Sequence, residues 1–413
     1  MAIAFVCGIF PPENYQEIVN NSRGVIQYAA DALQKSIIEG LGCLTSSELT
    51  IINLPYIGSY PQRYVKLFSQ KGDFIYTTQK GTVLTGYNVR FCNLSGYKLY
   101  SRYICTYRAL KSWLYKCPDD KLVIVVYAIH TPFLKAAVKL KRKYISRQIR
   151  IVLIVPDLPE YMGGKNSFFS NKLRDLNKKI LDKLYPSVDG YVLLSKYMVE
   201  MLPVGNKPWT IVEGIFNDNE KIFSKDLTGK INNIKTIFYS GTLAKRYGIQ
   251  NLVEAFSLIK NPNIRLIICG AGDSEKVIQQ YSQKDNRIIY KGQILREEVM
   301  KYQKQSTLLI NPRTPEGEFT KYSFPSKTME YLASGTPTLL YKLPGIPEEY
   351  YHYCFTIEHL GVEFLKKKIE EILMMDMDQL RDFGSNARKF ILEKKNPIEQ
   401  AKKIVQLIMR IRS

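Results

Sequence analysis

Histidine is scarce in this chain: only His130, His352 and His359 occur among 413 residues. The seven cysteines, Cys7, Cys43, Cys92, Cys105, Cys117, Cys269 and Cys354, include no Cys-x2-Cys pair and are odd in number. Neither a metal ligand set nor a disulfide framework is indicated, and a reducing cytoplasm fits such usage. Acidic residues are also short, 38 Asp and Glu against 59 Lys and Arg, which leaves a net charge of +21. Long apolar runs are missing. The longest, residues 122–134, is too short to cross a bilayer and contains His130 and Pro132. Residues 2–10 are apolar but follow no basic residue and run into Pro11-Pro12, so no signal peptide is expected. The expectation is a soluble or peripheral protein.

What is present is ordinary globular material, 45% hydrophobic and 23% charged, long enough for two cores. Short β-branched runs alternate with amphipathic stretches, the pattern of α/β domains with parallel sheets and crossover helices. Strands are predicted at 3–7, 49–53, 122–129, 151–155 and 190–194, with helices at 24–40, 132–146 and 167–184. A second series follows, with strands at 236–239, 265–269, 288–290, 308–310 and 338–341 and helices at 249–259 and 275–281. The polar stretch 206–233 reads as the boundary, and the tail from Asp376 reads as helical. Two Rossmann-like units are expected.

The charge is uneven. Residues 101–150 hold twelve Lys and Arg against Asp119 and Asp120. Such a patch attracts phosphates on nucleic acid, anionic lipid or a polyprenyl diphosphate, or is merely a solvated surface. No RNA-recognition signature, zinc finger or basic tail favours nucleic acid. Taken as a helix, Lys135, Lys139 and Arg142 share one face while Leu134, Val138 and Ile145 lie on another. With Lys141, Lys143 and Arg147, that basic face is expected to hold the protein on an anionic membrane.

The most informative stretch is Tyr322-Ser-Phe-Pro-Ser-Lys-Thr-Met-Glu330-Tyr-Leu-Ala-Ser-Gly-Thr-Pro337. It reads as a loop, a helix opening at Ser326 and Lys327, and a closing Gly335 before a short strand. Free N–H groups, a helix dipole and a lysine meet there, which makes an anion site suited to phosphate. Glu330, one turn further in, can accept hydrogen bonds from hydroxyls attached to that phosphate.

This segment resembles the C-terminal signature of the retaining family-4 glycosyltransferases of bacterial cell-surface polysaccharide synthesis, in which two glutamates are spaced Glu-x7-Glu. Glu330 takes the second position, which in that family holds the ribose; Tyr322 stands at the first, sugar-contacting one. The segment 238–249 resembles the family's first diphosphate loop, with Gly241 ending a strand; Thr242 and Tyr247 replace the usual arginine and lysine, while Lys245 and Arg246 sit beside them. The resemblance implies that positive charge has been relocated. It extends to Gly270-Ala-Gly272 near the base, to Gly292, Gln293 and Ile294 along its edge, and to Ser323, Phe324, Ser326 and Thr328 in the donor loop. Arg313, leaving a strand end, either faces the diphosphate or pairs with Glu316 or Glu318. In the first half, His130-Thr-Pro132 is similar to the family's His-x-Pro segment, whose His contacts the transferred sugar; Thr131 is expected to cap the next helix. Arg23-Gly24 stands where the family has Gly-Gly near the acceptor, and Asp157 follows another strand end as a base or a turn-former.

The resemblance implies the GT-B fold: two Rossmann-like domains, 1–210 for the acceptor and 211–390 for the nucleotide-sugar, their sheets facing an interdomain cleft, with a helix at 391–413 returning to the first. It implies transfer of a sugar from a nucleotide-sugar to a glycan or polyprenyl-diphosphate-linked acceptor, as in capsule or O-antigen assembly, peripheral to the inner face of the cytoplasmic membrane. Lys327, Arg246 and His130 would be catalytic, and the nucleotide-sugar is a substrate, so no cofactor and no catalytic metal are expected. Asp376-Met-Asp378 superficially resembles an Asp-x-Asp metal motif but falls between helices. The alternatives are a sugar-nucleotide epimerase of the same fold, for which Asp157, Glu316 and Glu318 are the only loose carboxylates, and a basic nucleic-acid-binding protein.

Overall fold

A computed structural model describes residues 2–45, 49–118, 121–158, 168–218 and 234–412, without the side chains of 168–171. The chain divides into two compact units, Met1–Ile215 with Pro397–Ser413, and Phe216–Asn396.

In the first unit β1 (Ala2–Cys7) and β5 (Leu122–Tyr127) are apolar at every position and buried at every position. Runs of that kind belong to central parallel strands covered on both faces. Between them in sequence lie α1 (Tyr15–Asn20), α2 (Tyr28–Thr45), β2 (Leu49–Asn53), β3 (Gly72–Thr77), β4 (Val83–Asn88) and α3 (Lys98–Lys116). After β5 come α4 (Thr131–Lys143), β6 (Arg150–Val155), α5 (Phe168–Leu184), β7 (Gly190–Leu193), α6 (Met198–Met201) and β8 (Trp209–Ile211). The sheet order is β3-β4-β2-β1-β5-β6-β7-β8, parallel except for the β3–β4 pair at its edge. Order reverses beside β1, so the loops leaving β1 and β5 flank the switch point where open α/β sheets hold ligands.

The second unit contains β9 (Lys235–Ser240), α7 (Ile249–Leu258), β10 (Ile264–Cys269), α8 (Glu275–Lys284), β11 (Ile288–Tyr290), α9 (Arg296–Gln305), β12 (Leu308–Asn311), α10 (Ser326–Ser334), β13 (Thr338–Tyr341), β14 (Phe355–Ile357), α11 (Val362–Met374) and α12 (Met377–Lys394). Its sheet is parallel throughout, in the order β11-β10-β9-β12-β13-β14. Ile237, Leu266, Ile268, Leu308 and Ile310 pack with Leu252 and Phe256 of α7 and Leu332 of α10 in its core.

The last helix, α13 (Pro397–Arg410), belongs to the first unit. Ile404, Leu407 and Ile408 are fully buried there beside Ile37, Ile38 and Leu41 of α2. Gly40 makes the fit possible, because a Cβ at that position would lie 2.0 Å from the Pro397 carbonyl oxygen.

Several expectations need correction. The first unit ends at Ile215 rather than 210, because Trp209–Ile211 pairs with β7 as an edge strand; residues 219–233 of the expected boundary lie outside the described residues. Residue 391 falls inside α12, so the returning helix starts later, at Pro397. The first long helix starts at Tyr28, not 24, and Gly24 sits in an exposed loop. Ile145 lies beyond the end of α4 and is 80% exposed instead of facing the sheet. The β3–β4 hairpin, α3, α9, α11 and β14 were not expected. Asp376 caps α12, its carboxylate accepting from the backbone N–H groups of Asp378 and Gln379.

Candidate functional site: a glycine-lined strand edge and an open helix N-terminus

In the second unit the strand order reverses between β9 and β12, and the loops that leave them touch. Gly248, at the N-terminus of α7, adopts φ +75°, and a Cβ there would stand 2.1 Å from the Pro312 carbonyl oxygen. Gly270 at the end of β10 adopts φ +136° and leaves even less room, with the Gly241 carbonyl oxygen 1.8 Å from where a Cβ would be. Only glycine lets these turns close up. Gly270 also donates its N–H to the Gly292 carbonyl at 2.8 Å, and the Tyr290 hydroxyl donates to the Gly270 carbonyl at 2.9 Å. Gly241, Gly270 and Gly292 therefore form one backbone surface along the carboxyl edge of β9, β10 and β11. Thr242 belongs to the same edge, its carbonyl accepting from the Tyr239 hydroxyl at 2.9 Å, and the Lys245 N–H donates to Asp273 Oδ1 at 2.8 Å. Gln293 is exposed beside Gly292, whereas Ile294 packs partly buried against the cluster of Phe238, Cys269, Leu309 and Tyr331.

Arginine and aromatic rings line the neighbouring loop. The Arg313 guanidinium lies over Phe319 at 4.6 Å and Tyr247 at 5.2 Å, and Arg246 lies over the same two rings at 5.6 and 5.1 Å. Arg313 pairs with neither Glu316 nor Glu318: its Nη2 donates to Ser323 Oγ at 2.8 Å, and Glu316 accepts from Thr314 instead. Its Nε is buried without a partner. Burial, with Arg246 nearby, holds Arg313 below the usual arginine range, which favours a ligand of opposite charge.

Helix α10 opens after Pro325 with no side-chain cap and closes at Gly335, whose φ is +80°. Ser326 is exposed at the first position and Thr328 is fully buried, its hydroxyl without a partner. Lys327 turns toward Glu330, with Nζ 3.0 Å from Oε1 and 3.2 Å from Oε2. Glu330 also accepts from Gln303 Nε2 of α9 at 2.6 Å. The Glu330 carboxylate therefore has two protein partners. Tyr322 is 7% exposed and Phe324 packs on Tyr350, so both turn toward protein. Two positioning residues went unnoticed in the sequence: Gln303, and Tyr331, whose hydroxyl donates to the Ser240 carbonyl and accepts from the Ser240 N–H. Tyr331 stands in the signature stretch directly after Glu330 without a role there, and Gln303 sits in a helix that was not expected.

In the first unit His130 follows β5 and Ala128, which takes an uncommon positive φ of +66°. His130, rather than Thr131, occupies the cap position of α4; Thr131 is the first helical residue and donates to Asn177 Oδ1 at 2.6 Å. The ring of His130 packs 4.3 Å from Phe133, and its Nε2 lies 3.2 Å from Arg102 Nη1. The loop after β1 is held by two buried side chains, Gln34 accepting from the Gly8 N–H and Asp31 from the Phe10 N–H, both at 2.7 Å. Arg23, Gly24 and Asp157 are exposed, and no hydrogen bond or ion pair joins Arg23 or Asp157 to His130 among the described residues. Among those residues no group of three His, Cys, Asp or Glu side chains could hold a metal ion, and no helix is long and apolar enough to cross a membrane.

Residues 221–390, nearly the whole second unit, match the family model described as glycosyl transferases group 1. No curated protein matches the chain. Among solved structures it is similar to sucrose-phosphate synthase from Thermosynechococcus elongatus, with 12% identity and a TM-score of 0.61 over 100% of this chain and 99% of that one. Trehalose-6-phosphate synthase from E. coli, bound with UDP-2-fluoro glucose, gives 12% identity and 0.62 over 99% of both chains. The lipopolysaccharide outer core galactosyltransferase WaaB gives 13% identity and 0.59 over 99% of both. The chain has the GT-B fold. In this GT-B chain the glycine-lined edge, Arg246, Arg313 and the α10 N-terminus all lie within the matched stretch, and together they support a nucleotide-sugar glycosyltransferase.

Proposed function

We propose that the protein transfers a sugar from a nucleotide-sugar, with retention and without a catalytic metal, to a glycan or lipid-linked acceptor in cell-surface polysaccharide synthesis. The observation that carries this reading is the convergence, on one strand edge of the second unit, of close-packed glycine turns, two arginines and an open helix N-terminus with Glu330 one turn in. That combination suits a nucleoside diphosphate: backbone N–H groups and guanidinium charge for the phosphates, a carboxylate for the ribose. Two neighbours in fold were solved with UDP or a UDP-sugar, so UDP-sugars are the first donors to test.

In the proposed reaction the anomeric C–O bond to the diphosphate breaks, the acceptor oxygen bonds to the same carbon, and the acceptor proton passes to the departing phosphate. No side-chain nucleophile is needed. Lys327, Arg246 and the α10 N–H groups stabilise charge that grows on the leaving group. Incubation with a panel of sugar nucleotides and membrane-lipid or glycan acceptors, followed by mass spectrometry and anomeric NMR, tests it. An inverted product would remove retention, and loss of turnover with EDTA would remove metal independence.

Anionic membrane is the proposed support for the acceptor. Lys135 and Lys139 are exposed on α4 and lie over the rings of Tyr103 and Tyr107 of α3, with Lys111 over Tyr115 and Lys143 over Tyr144. Leu99, Tyr100, Tyr115 and Ile145 stand exposed near the two helices. Lysines among tyrosines suit the headgroup level of a bilayer. Three other cations of the basic segment are engaged internally: Lys141 pairs with Asp189 at 2.6 Å, Arg142 reaches Ser187, and Arg147 donates to the Cys117 carbonyl. The face is therefore Lys111, Lys135, Lys139 and Lys143. Co-sedimentation with vesicles that contain anionic lipid should fall with salt and with Lys135→Ala/Lys139→Ala, and indifference to both would refute it.

A further inference from the structure

A second cationic cluster lies inside the first unit, away from the lysine-tyrosine face. Lys98 and Arg102 project from successive turns of α3. Lys98 Nζ donates to the Ile57 carbonyl at 2.5 Å, and Arg102 Nη2 donates to the Pro55 carbonyl. Arg102 is 2% exposed, sandwiched among Phe91, Tyr56 and Phe133 at 4.5, 5.4 and 5.8 Å, and its Nη1 faces His130 Nε2. Tyr56 is fixed in turn by its hydroxyl, which donates to the Tyr127 carbonyl at 3.0 Å.

What the cluster lacks is a counter-charge. No salt bridge to Lys98, Arg102 or Arg63 forms among the described residues. The groups facing Lys98 electrostatically are Arg102 and Arg63, and those facing His130 are Arg102 and Lys98. Arg102 Nε and His130 Nδ1 are both buried with no partner. A buried charge left unpaired is strongly unfavourable, and so is a buried unsatisfied donor. The electrostatics record the strain. Burial, reinforced by Arg102 and Arg63, pulls Lys98 down to about 7, and burial with Arg102 and Lys98 nearby holds His130 well below the usual imidazole range. Burial pulls Arg102 to about 10, so it keeps its charge at neutral pH.

We propose that Lys98, Arg102 and His130 form a binding site for a tetrahedral oxyanion of the phosphate class, held beside the switch point of the first sheet. Such an anion meets a lysine point charge, a guanidinium and an imidazole donor, and supplies the missing counter-charge. The site does not depend on glycosyl transfer. If that reading of the protein also holds, the oxyanion is a phosphate of the acceptor or of the donor, two sources that the experiment separates.

Calorimetric titration of the full chain with sulfate, whose own ionisation does not change near neutral pH, tests the proposal. An anion restores the charge of Lys98, so at about pH 8 binding should take up about one proton per sulfate, read from the dependence of heat on buffer ionisation enthalpy. Lys98→Met, followed by its melting temperature to show that it stays folded although the Ile57 carbonyl loses its donor, should weaken sulfate at least about tenfold and abolish the uptake. Absence of sulfate binding, or the same affinity and uptake in Lys98→Met, overturns the proposal. Sulfate affinity unaltered by saturating UDP assigns the site to an acceptor phosphate. Displacement of sulfate by UDP assigns the same oxyanion site to the donor.

Discussion

Glu330 has Lys327 and Gln303 on its carboxylate already, so the ribose contact proposed for it depends on charge more than on a vacant lone pair. Glu330→Gln should weaken donor binding by about 1 to 3 kcal/mol without unfolding the protein, measured by calorimetry. Lys327→Ala leaves that carboxylate without its ion pair and the helix N-terminus without its cation; turnover should fall more than donor affinity. Equal affinity loss at unchanged turnover would make Lys327 a ground-state contact. His130 is held neutral by burial and by Arg102 and Lys98, so the folded state binds a proton less readily than the unfolded chain. Stability from this group is therefore present above the usual imidazole range and is lost as pH falls through it. Thermal melts between about pH 7 and about pH 5 should show a decline that His130→Asn reduces, and an identical decline in the variant would remove His130 as its source.

At the scale of elements, the glycine turns are the tightest constraint. Gly270→Ala would force the end of β10 away from Gly241 and out of a left-handed conformation, which should destabilise the protein by about 1 to 3 kcal/mol and abolish donor binding together. Wild-type melting and wild-type binding in that variant would show that the edge is not packed as described. The same scale explains what was legible in the sequence. β1 and β5 are continuous apolar runs, β9 and β13 have short apolar centres beside threonine, and α10 has both its start and its glycine stop; each was readable to within a residue or two. Helix α3 was not, because the side it buries carries Ser101, Arg102 and Thr106 as well as Leu110, Trp113 and Leu114, leaving no clean apolar stripe. The oxyanion cluster was missed for that reason, since two of its three residues lie on α3. The β3–β4 hairpin has a two-residue alternation with tyrosine and threonine on a sheet edge, too short and too polar to separate from loop. Within the donor site, the motif glycines, Glu330 and Lys327 stood out, whereas Gln303 and Ser323 as partners of Glu330 and Arg313 depend on contacts between elements that spacing does not encode.

At the scale of the whole molecule, the chain completes the first unit with its last helix after building the second. Removal of 397–413 would uncover Ile37, Ile38 and Leu41 and strip Ile404, Leu407 and Ile408 from the core of the first unit. Three side chains of that size correspond to roughly 5 kcal/mol or more, so the truncated chain should lose the first unit's melting transition and gain protease sensitivity there, while the second unit persists. Coincident loss of both transitions would mean that the units do not fold separately. The central claim is that the second unit binds a nucleotide-sugar at its glycine-lined edge. The most direct measurement is a thermal-shift screen of the full chain against sugar nucleotides, repeated with Glu330→Gln. A donor at about 100 times its Kd adds about 2.7 kcal/mol. That should raise the second unit's melting temperature by about 5 to 10 °C and raise it markedly less in the variant. A folded chain that no sugar nucleotide stabilises, or a shift as large in Glu330→Gln as in wild type, would contradict the account.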